Sequence, residues 1–576
     1  MKFDDFLHTV NDFGRYQKLR YFCICLTYML PPIMVYTWSF AAATPSFRCK
    51  LSDNDVTYSG QLLTSYNRSQ PDEAYCKANM KISVKECQRC YMKTMSNDGS
   101  AQIQPCNEYV FDRKYHQYTL VEEWSMVCDR TVFRSAVQNL FFVGYMVGSI
   151  FFGIMADKYG RRPIMSICII LMACTGFVCA FFPQKRLFGF WPSYLIYTIS
   201  RFVLACSTRG IAVTGFVLAT ELVGPKNKFL TAIIVQYFFA FGQLFLVTFA
   251  YFIREWRRLT LTLSLFTIPF TFFYFLLPES ARWMISKGRY KQAEKLLRKI
   301  ATTNKKPFDE EAFERLIQEQ KKNTTDNSSQ QVGVLTLFKS TIMCIISINL
   351  FFQWFVQNLV FYGISQSTGS WGFDPYLSFA ISAFVEILSY IVLHLVLNRV
   401  GRKLPYFVAV LCFAVIALMT IPVQNLMLKN SQKQKILIFV MNVLLKFFAA
   451  GSYAIIYIYA NELFPTGIRN TGMGICSMVA RIGAIVGTTS NDMLTRLWIN
   501  LPTLLFGILS LVAAFLVLML PETLNKTLPQ TIADTEQMGL TCIRVRTKQQ
   551  KKAEPELNED HLLSENLKTQ DDIEMK

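Results

Sequence analysis

Charged residues are scarce in this chain. Asp, Glu, Lys and Arg make up 17% of its 576 residues, against about a quarter in a soluble globular protein. Hydrophobic residues reach 52%, with 49 Phe, and an ordinary soluble fold is excluded. Histidine is scarcer still: His8, His116, His394 and His561 are scattered and share no metal-ligand spacing, so no metal is expected. There is no G-x-x-x-x-G-K-[ST] loop, which leaves ATP-driven pumping unsupported. No triad or paired-carboxylate motif points to catalysis, so the chain reads as no enzyme, with no catalytic residue and no cofactor. A cleavable signal peptide is not expected, because the first 20 residues are polar and the first apolar run is long enough to span. Acidic residues are the rarer sign, 40 against 59 Lys and Arg, for a net charge of +19. The basic residues are spread over loops that flank apolar runs and no nucleic-acid-binding motif is present, so membrane lipid rather than nucleic acid is the expected partner.

What is abundant is apolar sequence in runs near 20 residues, the length that crosses about 30 Å of hydrocarbon. Twelve occur, at about 21–43, 134–156, 164–182, 193–220, 229–251, 259–277, 337–362, 373–397, 405–422, 436–459, 470–493 and 500–520. The expected fold is an all-α membrane protein of twelve transmembrane helices. Its expected organisation is an N-terminal cytoplasmic segment (1–20), a six-helix bundle (21–278) that includes an extracellular loop (44–133), a central cytoplasmic helical linker (279–336), a second six-helix bundle (337–520) and a cytoplasmic tail (521–576).

Three motifs recur at nearly one offset. ADKYGRRP (Ala156 to Pro163) returns, degraded, as LNRVGRKLP (Leu397 to Pro405), with Asp157 and Asn398 241 positions apart. TELVG (Thr220 to Gly224) returns in NELFPTGIR (Asn461 to Arg469), with Glu221 and Glu462 also 241 apart. LPES (Leu277 to Ser280) returns as LPET (Leu520 to Thr523), with Glu279 and Glu522 243 apart. One offset shared by three motifs implies a duplicated half, the organisation of many secondary transporters.

Basic residues in the short loops nearly tie between the two sides, because Arg254, Arg257, Arg258, Lys429, Lys433 and Lys435 fall on the predicted outside. The basic, Cys-free loop 281–339 breaks the tie and goes inside; an even number of helices then puts both termini in the cytoplasm. Six of 16 Cys, namely Cys49, Cys76, Cys87, Cys90, Cys106 and Cys128, lie between the first two spans and read as an oxidised framework facing outside. Fifteen pairings are possible and sequence does not choose among them. A zinc site at Cys87-x-x-Cys90 is the rival reading, without a second CxxC or a His pair to complete it. Asn67-Arg68-Ser69 is a glycosylation acceptor in the same loop; the sequons at Asn323 and Asn327 fall on the predicted cytoplasmic side and read as chance. The stretch beginning Ser280-Ala281-Arg282-Trp283 has apolar residues at helical spacing (Ile285, Ala293, Leu296, Leu297, Ile300), which predicts an amphipathic helix on the membrane surface or between the halves. Lys321 to Gln331 reads as a flexible linker, and the tail past Glu554 as disordered.

GIMADKYGRRP suggests a gate. Gly153 and Gly160 allow close approach and a tight turn, while Asp157 and Arg161/Arg162 set opposite charges at adjacent helix ends. Arg402 sits in the degraded copy. Glu221, Glu279, Glu462 and Arg469 read as further gate charges, and Arg201 as a gate or packing charge. Together these motifs resemble the major facilitator superfamily. VEEWSMVCD, PESARWMISKGR and NELFPTGIRNTGMG go further and resemble the solute carrier 22, or organic ion transporter, family over about residues 10 to 530. TGFVLATELVG, TFAYFIREWR, FVEILSY and ARIGAIV look most like its organic cation/carnitine branch. The resemblance implies two six-helix bundles, alternating access, a plasma-membrane location and a polyspecific cavity for small organic ions. Classical organic cation members carry an acidic residue where this chain has Arg481; carnitine-type and organic-anion members carry Arg.

Ionisable groups inside a bilayer are functional candidates by default. Here they are Glu386, Lys446, Arg481, Arg201 and Arg209, the last matching no carnitine-branch pattern. Lys446, Tyr453 and Tyr457 are spaced to share one helical face. Gly474 and Ser477 share a face with Arg481 and leave room beside it. The expectation is a cavity of both signs. Lys446 and Arg481 would hold a carboxylate, Glu386 an ammonium, and Trp354, Phe361, Tyr362, Tyr453 and Tyr457 would offer aromatic faces. A carnitine-like zwitterion satisfies both ends; transport would be energised by membrane potential or by coupled Na+ or H+. The alternatives are organic-anion exchange, with Glu386 merely paired to a basic residue, or a non-transporting receptor using the Cys-rich loop.

Overall fold

Hydrocarbon offers a backbone N–H or C=O no partner, so each apolar run closes its hydrogen bonds on itself as a helix. A computed structural model describes residues 3–538, apart from 10, 12, 53–54, 56–57, 59–68, 80–83, 96–100, 225–227, 327–336, 339, 427–430, 466–467, 525, 527–528 and 530–531. Asn67, Asn327, part of the predicted linker and the tail from 539 lie outside the described residues. Among the described residues, eleven helices are long and apolar enough to cross a membrane, and Leu501–Val517 forms a shorter twelfth.

Span one is two helices, Arg15–Thr27 and Leu30–Ala41, broken at Tyr28 and Met29. The break precedes Pro31 and Pro32, tolerated in the first turn of a new helix but not in the interior of an old one. Spans two to five are Thr131–Tyr159, Arg161–Phe181, Phe190–Leu222 and Lys228–Phe252. Span six begins as Trp256–Thr267 and tightens to a 3-10 turn at Ile268–Phe272, over Pro269, before Phe273–Leu276. Spans seven to eleven are Thr341–Gln366, Pro375–Val400, Lys403–Leu426, Gln432–Leu463 and Arg469–Leu497.

Helices approach closely where side chains are absent. A Cβ at Gly242 of span five would collide with the Met29 carbonyl of span one. A Cβ at Gly483 of span eleven would collide with the Phe355 carbonyl of span seven, and one at Gly487 with the Leu359 carbonyl. Gly242 and Gly483 are 241 positions apart, so the duplicated halves share a packing rule as well as motifs. Buried side chains of both halves merge into one apolar core.

Residues between spans one and two build a small lobe. Phe47–Cys49 pairs antiparallel with Tyr109–Phe111, and Tyr91–Met95 with Ala101–Pro105. The disulfides are Cys49–Cys106, Cys76–Cys87 and Cys90–Cys128. Cys87 and Cys90 thus take different partners, and neither is left as a thiolate for zinc. Arg48 grips Asp55 bidentately, at 2.5 and 2.6 Å, in the lobe interior. That hydrogen-bonded guanidinium holds the Asp55 carboxyl below the usual range.

On the opposite face a third core forms. The helix Phe3–Thr9 buries Phe3, Phe6 and Leu7 against Trp283, Leu297, Ile300, Phe313 and Leu316. Asn304 Oδ1 accepts the Tyr16 N–H at 3.1 Å, and Asn304 Nδ2 donates to Gln17 at 2.8 Å. This corrects the surface-helix expectation. The apolar stripe Ala293, Leu297, Ile300 is covered by the chain's own first helix and its neighbours, and is not available to lipid.

Because Gly483 packs against backbone, Gly483→Ala should lower thermal stability in detergent by about 1–3 kcal/mol, as overpacking typically does. Gly474, whose Cβ would meet nothing within 4 Å, is the control: Gly474→Ala should be neutral or mildly stabilising. Equal effects of the two substitutions would overturn the packing assignment.

Candidate functional site

Between the halves, at mid-depth, lies a cavity of about 70 Å³ whose walls include Tyr28, Tyr145, Arg209, Tyr453, Tyr457 and Arg481. The break in span one supplies Tyr28, whose hydroxyl donates to the Ala212 carbonyl at 3.1 Å. Arg481 is buried, stacks 5.2 Å from the Tyr145 ring and donates from Nη1 to the Tyr362 hydroxyl at 3.4 Å. Its Nε has no hydrogen-bond partner among the described residues. Phe361 stacks on Tyr453, with centroids 4.9 Å apart. Trp354 packs behind Tyr457 at 5.4 Å. Of the aromatics singled out from sequence, Phe361, Tyr362, Tyr453 and Tyr457 line the cavity and Trp354 supports it from behind. Sequence reasoning missed Tyr28, Tyr145, Tyr390 and Arg209 as wall residues. Only Arg209 carried a signal, as a charge inside an apolar run.

Glu386 and Lys446 do not line this cavity as opposite poles. They meet each other: Lys446 Nζ lies 2.9 Å from Glu386 Oε2, and both side chains are fully buried. The ammonium also donates to Ser365 Oγ at 2.6 Å and sits 4.2 Å from the Phe361 ring centroid. The carboxylate accepts from Tyr390 at 2.8 Å and from Gln243 of span five, in the other half, at 3.0 Å. Burial of either charge alone is costly, so each secures the other; removing one partner of such a pair typically costs about 3–5 kcal/mol. Phe361 and Tyr390, which do line the cavity, stand in contact with the pair. With Glu386 sequestered, no Asp or Glu is among the lining residues and both charged ones are guanidinium groups.

The gate motifs form two matching nodes on the face opposite the lobe. In the first, Gly160 adopts φ +116° and ends span two. The Glu279 carboxylate then accepts the first backbone N–H groups of span three, from Arg161 at 3.0 Å and Arg162 at 3.3 Å. The Arg161 guanidinium reaches the Ala156 carbonyl at 3.0 Å, Asp157 at 2.8 Å and Glu221 at 3.3 Å. In the second, Gly401 adopts φ +107° and Glu522 accepts the N–H groups of Arg402 at 2.9 Å and Lys403 at 3.0 Å. Arg402 reaches the Leu397 carbonyl at 3.1 Å and Glu462 at 3.1 Å. A carboxylate on the positive end of a helix is the favoured arrangement, and only glycine leaves room for it: a Cβ at either position would collide with the carboxylate.

Three of the predicted gate residues lie elsewhere. Gly153 makes no close approach, since a Cβ there would meet nothing within 4 Å; its side of span two is open. Arg201 is buried toward the lobe side, its guanidinium 5.1 Å from Trp38 and 4.6 Å from Phe141. Arg469 donates to the nearby Phe464 carbonyl at 3.2 Å and has no ion pair within the described node. Arg162 uses its guanidinium on span six, donating to the Tyr274 carbonyl at 2.6 Å.

The two nodes titrate in opposite senses. Burial is the largest influence on Glu279 and raises its pKa despite three backbone donors. Burial also raises Glu522, but donation from Arg402, Leu524, Lys403 and Thr523 outweighs it and the pKa is lowered. A lowered pKa means stability that is present above the unfolded value, about 4.3, and lost as pH falls through the folded value. For Glu279 the sign reverses: its contribution is present below the unfolded value and lost as pH rises through the raised one. Glu522→Gln should therefore cost about 1 kcal/mol or more at pH 7.5, more than Glu279→Gln. The Glu522→Gln deficit should shrink as pH falls below about 4.3, read as thermal unfolding in detergent from pH 7.5 downward.

Comparison with known proteins places this architecture. The sugar (and other) transporter profile matches residues 79–533. An organic cation transporter-like protein of Drosophila melanogaster is 34% identical over 94% of this chain and 93% of its own length. Solute carrier family 22 member 6-B of Xenopus laevis is 30% identical over 93% and 95%. Among solved structures, the proton:xylose symporter XylE of the major facilitator superfamily, bound to 6-bromo-6-deoxy-D-glucose, superposes with a TM-score of 0.59 at 16% identity, over 89% of this chain and 98% of that one. Twelve helices in duplicated halves, paired charge nodes, a profile match over most of the chain and relatives at 30% identity or more agree. The chain is a multi-pass membrane transporter of small molecules, not an enzyme, and it belongs to the sugar (and other) transporter family of the major facilitator superfamily, among the solute carrier 22 proteins.

Proposed function

We propose that this transporter moves small organic ions that carry a carboxylate, with carnitine-like zwitterions as its first substrates, across the plasma membrane by alternating access. The observation that carries this reading is Arg481, a buried guanidinium with an unpartnered Nε, set among tyrosines in a cavity without lining carboxylates. Its planar fork suits a carboxylate. The Tyr145, Tyr453 and Tyr457 faces suit a quaternary ammonium at the other end, through ring electrostatics and not through a fixed negative charge. The relatives' names, organic cation transporter among them, agree with the ammonium end. Lys446 and Glu386, in this reading, hold Phe361 and Tyr390 in place behind the substrate. Membrane potential or a coupled Na+ or H+ would supply the energy. The net-positive lining also favours a second reading, organic-anion exchange.

Contacts across the halves support alternating access with the lobe outside and both termini in the cytoplasm. They gather on the lobe side: Arg134 to Asp492 at 2.7 Å, Ser135 to Asp492 at 2.9 Å, Thr489 to Asn139 at 2.8 Å and Ser39 to Gln366 at 2.8 Å. Glu86 of the lobe pairs with Arg496 of span eleven at 3.0 Å. The charge nodes, in contrast, join helices of the same half. This is the arrangement of a carrier shut toward the lobe, in which a cavity of about 70 Å³ must widen to admit a substrate.

Uptake of radiolabelled carnitine, tetraethylammonium and an aromatic organic anion into expressing cells tests the substrate. Carnitine should enter, and Arg481→Asp should abolish that uptake while raising tetraethylammonium entry. Entry of the anion alone establishes the second reading; surface-expressed protein that moves none of the three overturns both. For the cycle, Asp492→Ala should speed labelling of a cysteine placed at Ala43 by a membrane-impermeant thiol reagent about fivefold, the effect of roughly 1 kcal/mol of lost closure. Unchanged labelling would show that this pair does not hold the carrier shut.

A further inference from the structure

The proposed carboxylate recognition leaves one wall residue without a role. Arg209 lies on span four, in the first half, and lines the same cavity as Arg481 of span eleven, in the second. Its surroundings do not complete it. Nη2 reaches Ser477 Oγ at 3.3 Å, across the seam between the halves, and Nε has no hydrogen-bond partner among the described residues. Arg209 makes no ion pair among the described residues. No Asp or Glu is among the lining residues, and Glu386, beside the lining residue Tyr390, is already occupied by Lys446, Tyr390 and Gln243. The other charge on the wall is Arg481, of the same sign. Two guanidinium groups turned to one small, low-dielectric space repel each other, and such charges persist where an opposite charge comes to meet them.

We propose that Arg209 is a specificity-determining residue, a second anion-recognising guanidinium supplied by the opposite half. The ligand chemistry is a carboxylate or sulfonate held between Arg209 and Arg481. The inference rests on the reading of the cavity as a carboxylate carrier and adds two consequences. Selectivity against plain cations comes from two positive groups instead of one. And because the groups stand on different halves, a bound anion replaces their mutual repulsion with attraction across the seam, so an anionic substrate favours closure around itself.

The test uses the full chain in cells, with surface amount measured by biotinylation and KM by uptake. The probes are carnitine, an aromatic carboxylate and tetraethylammonium. Arg209→Gln should raise KM tenfold or more for both carboxylates, the size of one lost charge-assisted hydrogen bond, and should lower it or leave it unchanged for tetraethylammonium. Ser477→Asp keeps the arginine but sets a resident carboxylate against it, and should raise the same two KM values at least as much. Unchanged carboxylate KM values in Arg209→Gln overturn the assignment, as does an equal rise for all three probes, which marks a structural role. If Arg209→Gln does not reach the surface, an unchanged carboxylate KM in Ser477→Asp overturns it instead. Wild-type protein that carries tetraethylammonium alone overturns this inference and the carboxylate reading together. Wild-type uptake of carboxylates with unaltered variants overturns this inference alone.

Discussion

A charge held within hydrocarbon must be met by an opposite charge or by several hydrogen bonds, and the arrangement of this molecule follows from that requirement. Lys446 and Glu386 meet it completely, with Ser365, Tyr390 and Gln243 filling the remaining positions. Arg161 and Arg402 meet it with backbone carbonyls and glutamates at the membrane edge. Arg201 meets it only in part, through the faces of Trp38 and Phe141. Arg209 and Arg481 are left incompletely partnered, and they are the charges that border the central cavity.

The duplication is physical as well as textual. Each half repeats a glycine with positive φ, a carboxylate that caps the next helix, and an arginine that ties back to the preceding one. Each also repeats a glycine that lets its fifth helix rest on the backbone of its first, Gly242 in one and Gly483 in the other. The copies are not equivalent. Asp157 joins the first node, where the second copy has Asn398. Glu522 has four backbone donors and a lowered pKa, while burial dominates Glu279. The two nodes are each confined to their own half, whereas the lobe face is bonded across the seam.

The lobe and the short N-terminal helix illustrate how folding recruits segments that look peripheral. Six cysteines announced a framework, and the structure resolves it so that Cys90–Cys128 ties the lobe to the start of span two. Glu86, next to Cys87 inside the loop closed by Cys76–Cys87, reaches the other half at Arg496. On the opposite face, Phe3, Phe6 and Leu7 seal the apolar stripe that sequence periodicity assigned to the membrane surface or to the join between the halves.

Sequence by itself determined the membrane class, twelve spans, the duplicated halves, the six-cysteine lobe and the repeated charge motifs at the helix ends. These are local or periodic properties: hydrophobic length answers to bilayer thickness, and a repeated motif carries its own geometry. It also located Glu386, Lys446 and Arg481, because a charge inside an apolar run is conspicuous. What it could not decide was which of those charges face one another. Helical spacing puts Lys446 on the face of Tyr453 and Tyr457, yet only the packing of span eight beside span ten brings Glu386 within 2.9 Å of it. Tyr28, Tyr145 and Arg209 became cavity walls through the tertiary structure, since they come from three helices of the first half and only the packing of those helices brings them to one space. Pairing of charges and convergence of side chains are relations between distant segments, and the fold, not the local sequence, sets them.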